Sequence, residues 1–362
     1  MHELNKKEGL IVRSVISQLD SSKRNTMLIG QPKSGKSSIL KQLDGIYVDF
    51  SRLSMSPERF VVEFIGEIAF SLVKREDKER WKDIGFLFEN RSLFGKGAAV
   101  IEQVHNELQK IKPEQRLLLE WAFSFPNVLG RKIVLLVDNF DEILGMNNYE
   151  QIKNVLMLFF SYSLGNVHFI ITALPVMEKD FSKSSFSVIK VPLPDKGEAK
   201  QLIEQILGKT GNDVFEEIFR LSSGQPFCIS AIARRYKDTK NVKKAFLLEV
   251  LSEDGLIYNA CKFELYSSLG NARGQTLLKT ILKVLSKEKS LRLNELARKI
   301  YRSSPVTQSL LLRLLEMHLI AKKDYRFSFI NPILHFWARN YFEGSTFTGK
   351  PSESLLNQEV EL

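Results

Sequence analysis

Met27-Leu28-Ile29-Gly30-Gln31-Pro32-Lys33-Ser34-Gly35-Lys36-Ser37-Ser38 is the stretch on which the fold turns. Three apolar residues lead into a turn with glycine near both ends, and residues 37–43 then read as a helix. The turn satisfies G-x-x-x-x-G-K-[ST], with a strand before it and a helix after it, the context that pattern requires. Glycines let the backbone wrap closely with its N–H groups turned inward, and the start of a helix adds partial positive charge. Gly30, Gln31, Pro32, Lys33, Ser34, Gly35, Lys36, Ser37 and Ser38 are therefore expected to cradle the phosphates of ATP or ADP. Lys36 is expected to reach the β- and γ-phosphates, and the Ser37 hydroxyl to ligate Mg²⁺.

Working outward, residues 46–50 look like a second strand, and residues 132–137 (KIVLLV) form a continuous apolar run. Such a run marks a strand covered on both faces of a parallel sheet. Residues 167–172 (VHFIIT) repeat the pattern, and residues 188–191 give a further short strand. Strands alternating with helices predict an α/β fold, a P-loop NTPase with a parallel sheet. Asp138, ending the third strand, is expected to hold Mg²⁺, and Asp141 or Glu142 to orient an attacking water. Thr172 would lie beside Asp138 if its strand is next in the sheet, where it is a candidate sensor of the γ-phosphate. Between these strands residues 57–122 read as helical, with Phe60, Phe64, Ile68 and Leu72 recurring on one face. Residues 86–99 read as a loop.

Hydrophobic residues at 44% and charged residues at 26% are the balance of a globular protein. No apolar run approaches the roughly 18–20 residues that span a bilayer, so no membrane partner is expected. The opening MHELNKKEGL lacks the basic-then-apolar order of an export signal. A cytoplasmic location is the expectation, with Cys228 and Cys261 as reduced core thiols.

The net charge of +10 is localised, because fourteen Lys and Arg face five Asp and Glu between Arg273 and Glu343. A basic module of this kind suggests a polyanionic partner. Its residues 276–285, 293–301 and 305–317 read as three short helices, and residues 318–329 as a hairpin turning at Lys323-Asp324, the order of a winged helix. Thr307, Gln308 and Arg313 are then expected to face outward from the third helix, with Lys322, Lys323 and Arg326 on the wing, to meet double-stranded DNA. A protein partner for the same module is the alternative. His335, with no partner evident, reads as a structural histidine.

Four segments together resemble a known group: GQPKSGKSS, IVLLVDNFDEI, FIITALPVMEKDF and LSSGQPFCISAIARR. In their order and spacing the chain resembles archaeal-type ATPases of the STAND/AAA+ class, relatives of the archaeal origin-recognition initiators. The resemblance implies a P-loop ATPase domain over residues 1–194, a helical lid over 195–270 and a winged-helix domain over 271–344, before a disordered tail at 345–362. It implies that Pro226, in the Gly224-Gln225-Pro226 element, packs near the nucleotide and links it to the lid. Asn139 stands where relatives often have glutamate after the Mg²⁺ aspartate, and Ala173-Leu174 where they commonly have Gly-Ser. Arg234 and Arg235 are the candidates for an arginine finger. These departures imply a slowly hydrolysing ATPase acting as a switch, either directed to DNA or, as in STAND signalling scaffolds, assembling with ATP as a homo-oligomer.

Overall fold

Five strands carry the first half of the chain: β1 (Thr26–Ile29), β2 (Ile46–Asp49), β3 (Ile133–Asp138), β4 (Val167–Ala173) and β5 (Ser187–Lys190). All pair in parallel, in the order β2-β3-β4-β1-β5. The computed structural model describes residues 15–19, 24–74, 77–182, 184–270, 274–349 and 360. Two compact units result, one around this sheet up to Pro192 and a second from Leu193 onward.

Alternation along the strands sorts their side chains between two apolar layers, because successive residues of a strand point to opposite faces. Met27, Ile29, Leu135, Val137, Phe169 and Ile171 enter the larger core. Leu28, Leu136 and Ile170 turn the other way, against Ile39 and Leu40 of α1 (Lys36–Leu40) and the helical stretch at residues 15–19. A helix at residues 10–19 is expected from the sequence, and of it residues 15–19 are described.

The larger layer is built by a helical insertion between β2 and β3: α2 (Pro57–Val73), α3 (Ile84–Glu89), α4 (Gly97–Leu108) and α5 (Gln115–Val128). Phe60, Phe64 and Ile68 recur on the buried face of α2 as their spacing predicts. Phe50, Phe60, Phe64 and Phe123 meet largely edge to face, with centroids 5.3–6.5 Å apart. The expected loop at residues 86–99 is instead α3, a 3₁₀ turn (Arg91–Phe94) and the start of α4. Asp83 caps α3 by accepting from the Phe86 N–H at 2.8 Å, and buried Leu87 and Phe94 pin the segment down. The glycines there suggested a loop, but the capping and the apolar contacts decide otherwise. After β3 come α6 (Val155–Tyr162) and α7 (Glu178–Phe181).

The second unit opens with α8 (Lys196–Leu207), α9 (Asn212–Leu221), α10 (Pro226–Thr239), α11 (Val242–Leu251) and α12 (Leu256–Gly270). It continues with α13 (Gln275–Ser286), β6 (Leu291–Arg292), α14 (Leu293–Lys299), α15 (Ser304–Glu316), β7 (Ile320–Lys323), β8 (Arg326–Phe329) and α16 (Pro332–Glu343). The last three strands form an antiparallel sheet in the order β6-β8-β7. One hydrophobic core runs from Ala199 to Ala338, so the two regions expected at residues 195–270 and 271–344 share an interior. Phe246 meets Phe336 at 5.5 Å and Tyr258 meets Trp337 at 5.9 Å across their junction. Of the tail, Phe347 bridges Ser252 and packs on this core, and residues 350–359 lie outside the described residues. Both cysteines are buried and neither forms a disulfide. Among the described residues no helix is long and apolar enough to cross a membrane.

Gly66, midway along α2, sits where an added Cβ would press into the carbonyl of Trp81. Helix propensity alone would make Gly66→Ala more stable by about 1 kcal/mol. Backbone cannot retreat as a flexible side chain can, so the substitution is expected to destabilise the fold by about 1–3 kcal/mol instead. Urea unfolding of the two proteins checks the sign.

Candidate functional site

The turn from β1 into α1 is shaped by two glycines with different duties. Gly30 is buried so closely that a Cβ on it would lie 2.7 Å from Ser34 Oγ and 2.8 Å from the Val191 carbonyl oxygen. Gly35, at φ 95°, takes the left-handed conformation that L side chains resist, and starts the helix. Inside this turn the Lys36 ammonium donates to the Gly30 and Gln31 carbonyl oxygens at 2.7 and 2.8 Å. Burial lowers its pKa from 10.5 to about 8, opposed by the negative charges of Asp141 and Asp138. Ser34 Oγ is buried and has no hydrogen-bond partner. An orphaned hydroxyl and an ammonium held only by carbonyls, in a cradle that a side chain would fill, fit a polyphosphate. Ser37 follows at the start of α1, half-buried, and Ser38 is exposed.

The acid comes from β3, two strands away from β1, because β4 lies between them. Asp138 is 2% exposed. Its Oδ1 accepts the Thr172 hydroxyl and, at 3.2 Å, the Asn139 N–H. Its Oδ2 accepts the Tyr47 hydroxyl at 2.7 Å. The β3–β4 register, with Val137 opposite Ile171, sets Thr172 beside Asp138 as the sequence anticipated. Burial, then the hydrogen bond to Asp138, raises the Tyr47 pKa, so its hydroxyl stays a donor. This tyrosine escaped the sequence reading, since its role depends on β2 pairing with β3. The single available signal was its placement between the inward-facing Ile46 and Val48.

Asn139 explains one departure from the resembled pattern. The chain turns left-handed there (φ 53°), a conformation asparagine tolerates better than most residues. Its amide Nδ2 donates to Asp49 Oδ1 at 2.8 Å, tying β3 to the end of β2. Beyond it Phe140 is fully buried, which leaves Asp141 and Glu142 at the start of a 3₁₀ segment (Phe140–Asn148). Asp141 Oδ1 accepts the Leu174 N–H at 3.1 Å, anchoring it to the end of β4. Desolvation, then the charges of Asp141 and Asp49, raises the pKa of Glu142. The structure thus gathers Lys36, Asp138, Asp141 and Thr172 at the carboxyl edge of the sheet. Asp138 and Ser37 are an oxygen-donor pair suited to Mg²⁺.

The remaining expected residues lie in the second unit. Gly224, at φ 68°, closes α9, and Pro226 opens α10 at its first position, where the missing N–H is harmless. Arg235 is a structural tie, its Nε donating to buried Glu249 at 2.8 Å, while Arg234 is exposed. Thr307 corrects the sequence reading. It is fully buried and its hydroxyl donates to the Ser303 carbonyl at 3.0 Å, because its spacing to Leu310, Leu311 and Leu314 puts it on the inward stripe of α15. Gln308 is exposed, Arg313 half-buried, and Lys322 and Lys323 exposed on β7. Arg326 is half-buried, donating from Nε to Ser290 Oγ at 2.8 Å and from Nη2 to the Ser290 carbonyl at 3.0 Å. The hairpin turns at Asp324-Tyr325, both left-handed, one residue later than expected. His335 is structural, meeting the Ser286 carbonyl at 3.1 Å and stacking on Phe329.

The fold is similar to that of a Walker-type ATPase from Pyrococcus abyssi, with a TM-score of 0.55 at 14% identity over 91% of this chain and 94% of that one. The chain has a P-loop ATPase fold. RuvB from Thermotoga maritima matches with a TM-score of 0.39 at 14% identity, over 88% of this chain and 91% of that one. A STAND protein with a tetratricopeptide-repeat sensor from Pyrococcus horikoshii matches with a TM-score of 0.37 at 13% identity over 91% of this chain, which spans 42% of that longer protein. Likenesses at that level say nothing of activity. No protein-family model matches the chain, and no curated protein does.

Replacing Asn139 by alanine removes its amide tie and leaves a Cβ in left-handed backbone. The expected loss is about 1–3 kcal/mol in urea unfolding. Asn139→Gly should recover part of it, since glycine has no left-handed penalty; equal losses would mean that the tie to Asp49 alone matters.

Proposed function

We propose that the protein is an ATP-binding, slowly hydrolysing switch whose nucleotide state governs a C-terminal winged helix directed to double-stranded DNA. The observation that carries the nucleotide part is the cradle itself: a buried ammonium and an orphaned Ser34 hydroxyl inside a turn closed by Gly30 and Gly35. Lys36 would exchange two carbonyl partners for phosphate oxygens, a charge-assisted and stronger contact. Ser37 and Asp138 would hold Mg²⁺, which neutralises charge on the phosphates. Asp141, fixed on the Leu174 N–H and close enough to raise the Lys36 pKa, would orient water. Thr172, whose hydroxyl donates to Asp138, would couple the metal site to β4. With Asn139 turned towards β2, no carboxylate directly follows Asp138 to activate water, which supports slow turnover. Lys36→Ala is expected to weaken ATP binding at least a hundredfold in equilibrium dialysis; a variant that binds normally would displace the site from this loop.

The helix, short strand, helix, helix and hairpin of residues 275–329 have the order of a winged helix. Its exposed cations, Lys283, Lys287, Lys289, Arg292, Arg298, Lys299, Arg302, Lys322 and Lys323, lie on α13, on α14 and its flanking turns, and on the hairpin. The open side of α15 shows Val306, Gln308, Ser309, Leu312 and Glu316, with no lysine or arginine. That distribution supports contacts to phosphates rather than reading of bases. The apolar Val306 and Leu312 favour the second reading, a protein partner for α15 with ATP-dependent self-association. Anisotropy of a labelled duplex, with ATP and with ADP at two salt concentrations, separates the two. The DNA reading expects binding that falls steeply with salt, differs between nucleotides and depends little on sequence. Absence of binding under every condition would favour the protein partner.

A further inference from the structure

We propose that Tyr47 is a positioning residue for the Mg²⁺ of the bound nucleotide, acting through Asp138; this rests on the P-loop reading above. An aspartate carboxylate rotates softly about its last side-chain bond, so aiming one of its oxygens at a metal requires donors that hold both. Thr172 and the Asn139 N–H secure Oδ1. Oδ2 is held from the opposite side by the Tyr47 hydroxyl at 2.7 Å. Strand alternation sends Ile46 and Val48 of β2 into one core and Tyr47, opposite Leu136, into the other, the layer that also holds Ile39 and Leu40 of α1. The Lys41 ammonium lies 5.4 Å from the centre of its ring. The hydroxyl thus reaches Asp138 from the face that carries α1, the helix that begins beside Ser37.

Each carboxylate oxygen accepts two hydrogen bonds, so Oδ2 keeps one lone pair for the metal or its water while Tyr47 occupies the other. Packing against this apolar layer asks only for an aromatic ring at position 47. The hydroxyl adds a bond to the one acid expected to hold the metal, and nothing else in the described contacts of Tyr47 uses it. Partners that orient metal-binding carboxylates typically carry about 10–100-fold in metal affinity.

The test is binding of radiolabelled ATP to the full chain by equilibrium dialysis, in EDTA and across a Mg²⁺ titration. Tyr47→Phe keeps the ring and is expected to bind ATP in EDTA within about twofold of wild type. Its Mg²⁺ midpoint should rise about tenfold or more. In an Asp138→Asn background the same change should leave the midpoint where that background puts it, because the two residues act in series. An unchanged midpoint in the single variant would overturn the assignment. Equal losses with and without Mg²⁺ would also overturn it, making Tyr47 a residue of the fold alone. Should the wild-type chain bind no ATP in either condition, the P-loop reading itself falls, and this one with it.

Discussion

A carboxylate that is nearly sealed from water needs hydrogen-bond donors for its oxygens, and the burial of Asp138 organises the carboxyl edge of the sheet. Its three donors come from three places in the chain: a hydroxyl on β2, a hydroxyl on β4 and the backbone N–H of a left-handed residue following β3. Only a sheet in which β3 lies between β2 and β4 brings them together, and that is the order observed. β4 in turn pairs with β1, so Thr172 stands between the acid and the strand that feeds the phosphate turn. The strand order thus gathers the donors that aim the acid.

Much of this was legible in the residues because it is local. The phosphate turn is a contiguous pattern, and KIVLLVD and VHFIIT each announce a covered strand ending in a polar group. What escaped notice depends on pairing between segments far apart in the chain. Tyr47 looks like an ordinary strand tyrosine until β2 is known to lie beside β3. Thr307 reads as an outward-facing polar residue, but its spacing to Leu310, Leu311 and Leu314 turns it inward, and an i−4 hydrogen bond to the Ser303 carbonyl lets its hydroxyl be buried at little cost. Residues 86–99 misled through their glycines, whose preference for turns was outweighed by the Asp83 cap and by Leu87 and Phe94.

Phenylalanine holds the acidic turn in place. Phe140 separates Asn139 from Asp141, and its ring meets Phe50, Phe159 and Phe181 with centroids 4.6–5.6 Å apart. With that ring buried, and Ile143 and Met146 behind it, the 3₁₀ segment has no freedom to roll its carboxylates inward. A buried phenylalanine contributes on the order of 2–3 kcal/mol through area alone. That outweighs the mutual repulsion of Asp141 and Glu142 at a partly solvated edge, where unlike a dry interior the charges are screened. The helical insertion between β2 and β3 is thus more than bulk. Phe60, Phe64 and Phe123 build the layer on which Phe50 rests, and Phe50 is the residue directly after Asp49.

The second unit is packed as one body around a shared interior. Close-packed interiors transmit strain, and a single core joins α8–α12 to the helices and hairpin that follow. Phe246 against Phe336 and Tyr258 against Trp337 seal that junction with large fully or nearly buried rings. Asn331, the cap of α16, also donates to Gln225 of the Gly224-Gln225-Pro226 element at 3.4 Å. The turn before α10 and the helix after the hairpin therefore share a polar contact as well as a hydrophobic one. A displacement of the Gly224-Gln225-Pro226 turn would be felt at the hairpin, because α10 and α16 share this core.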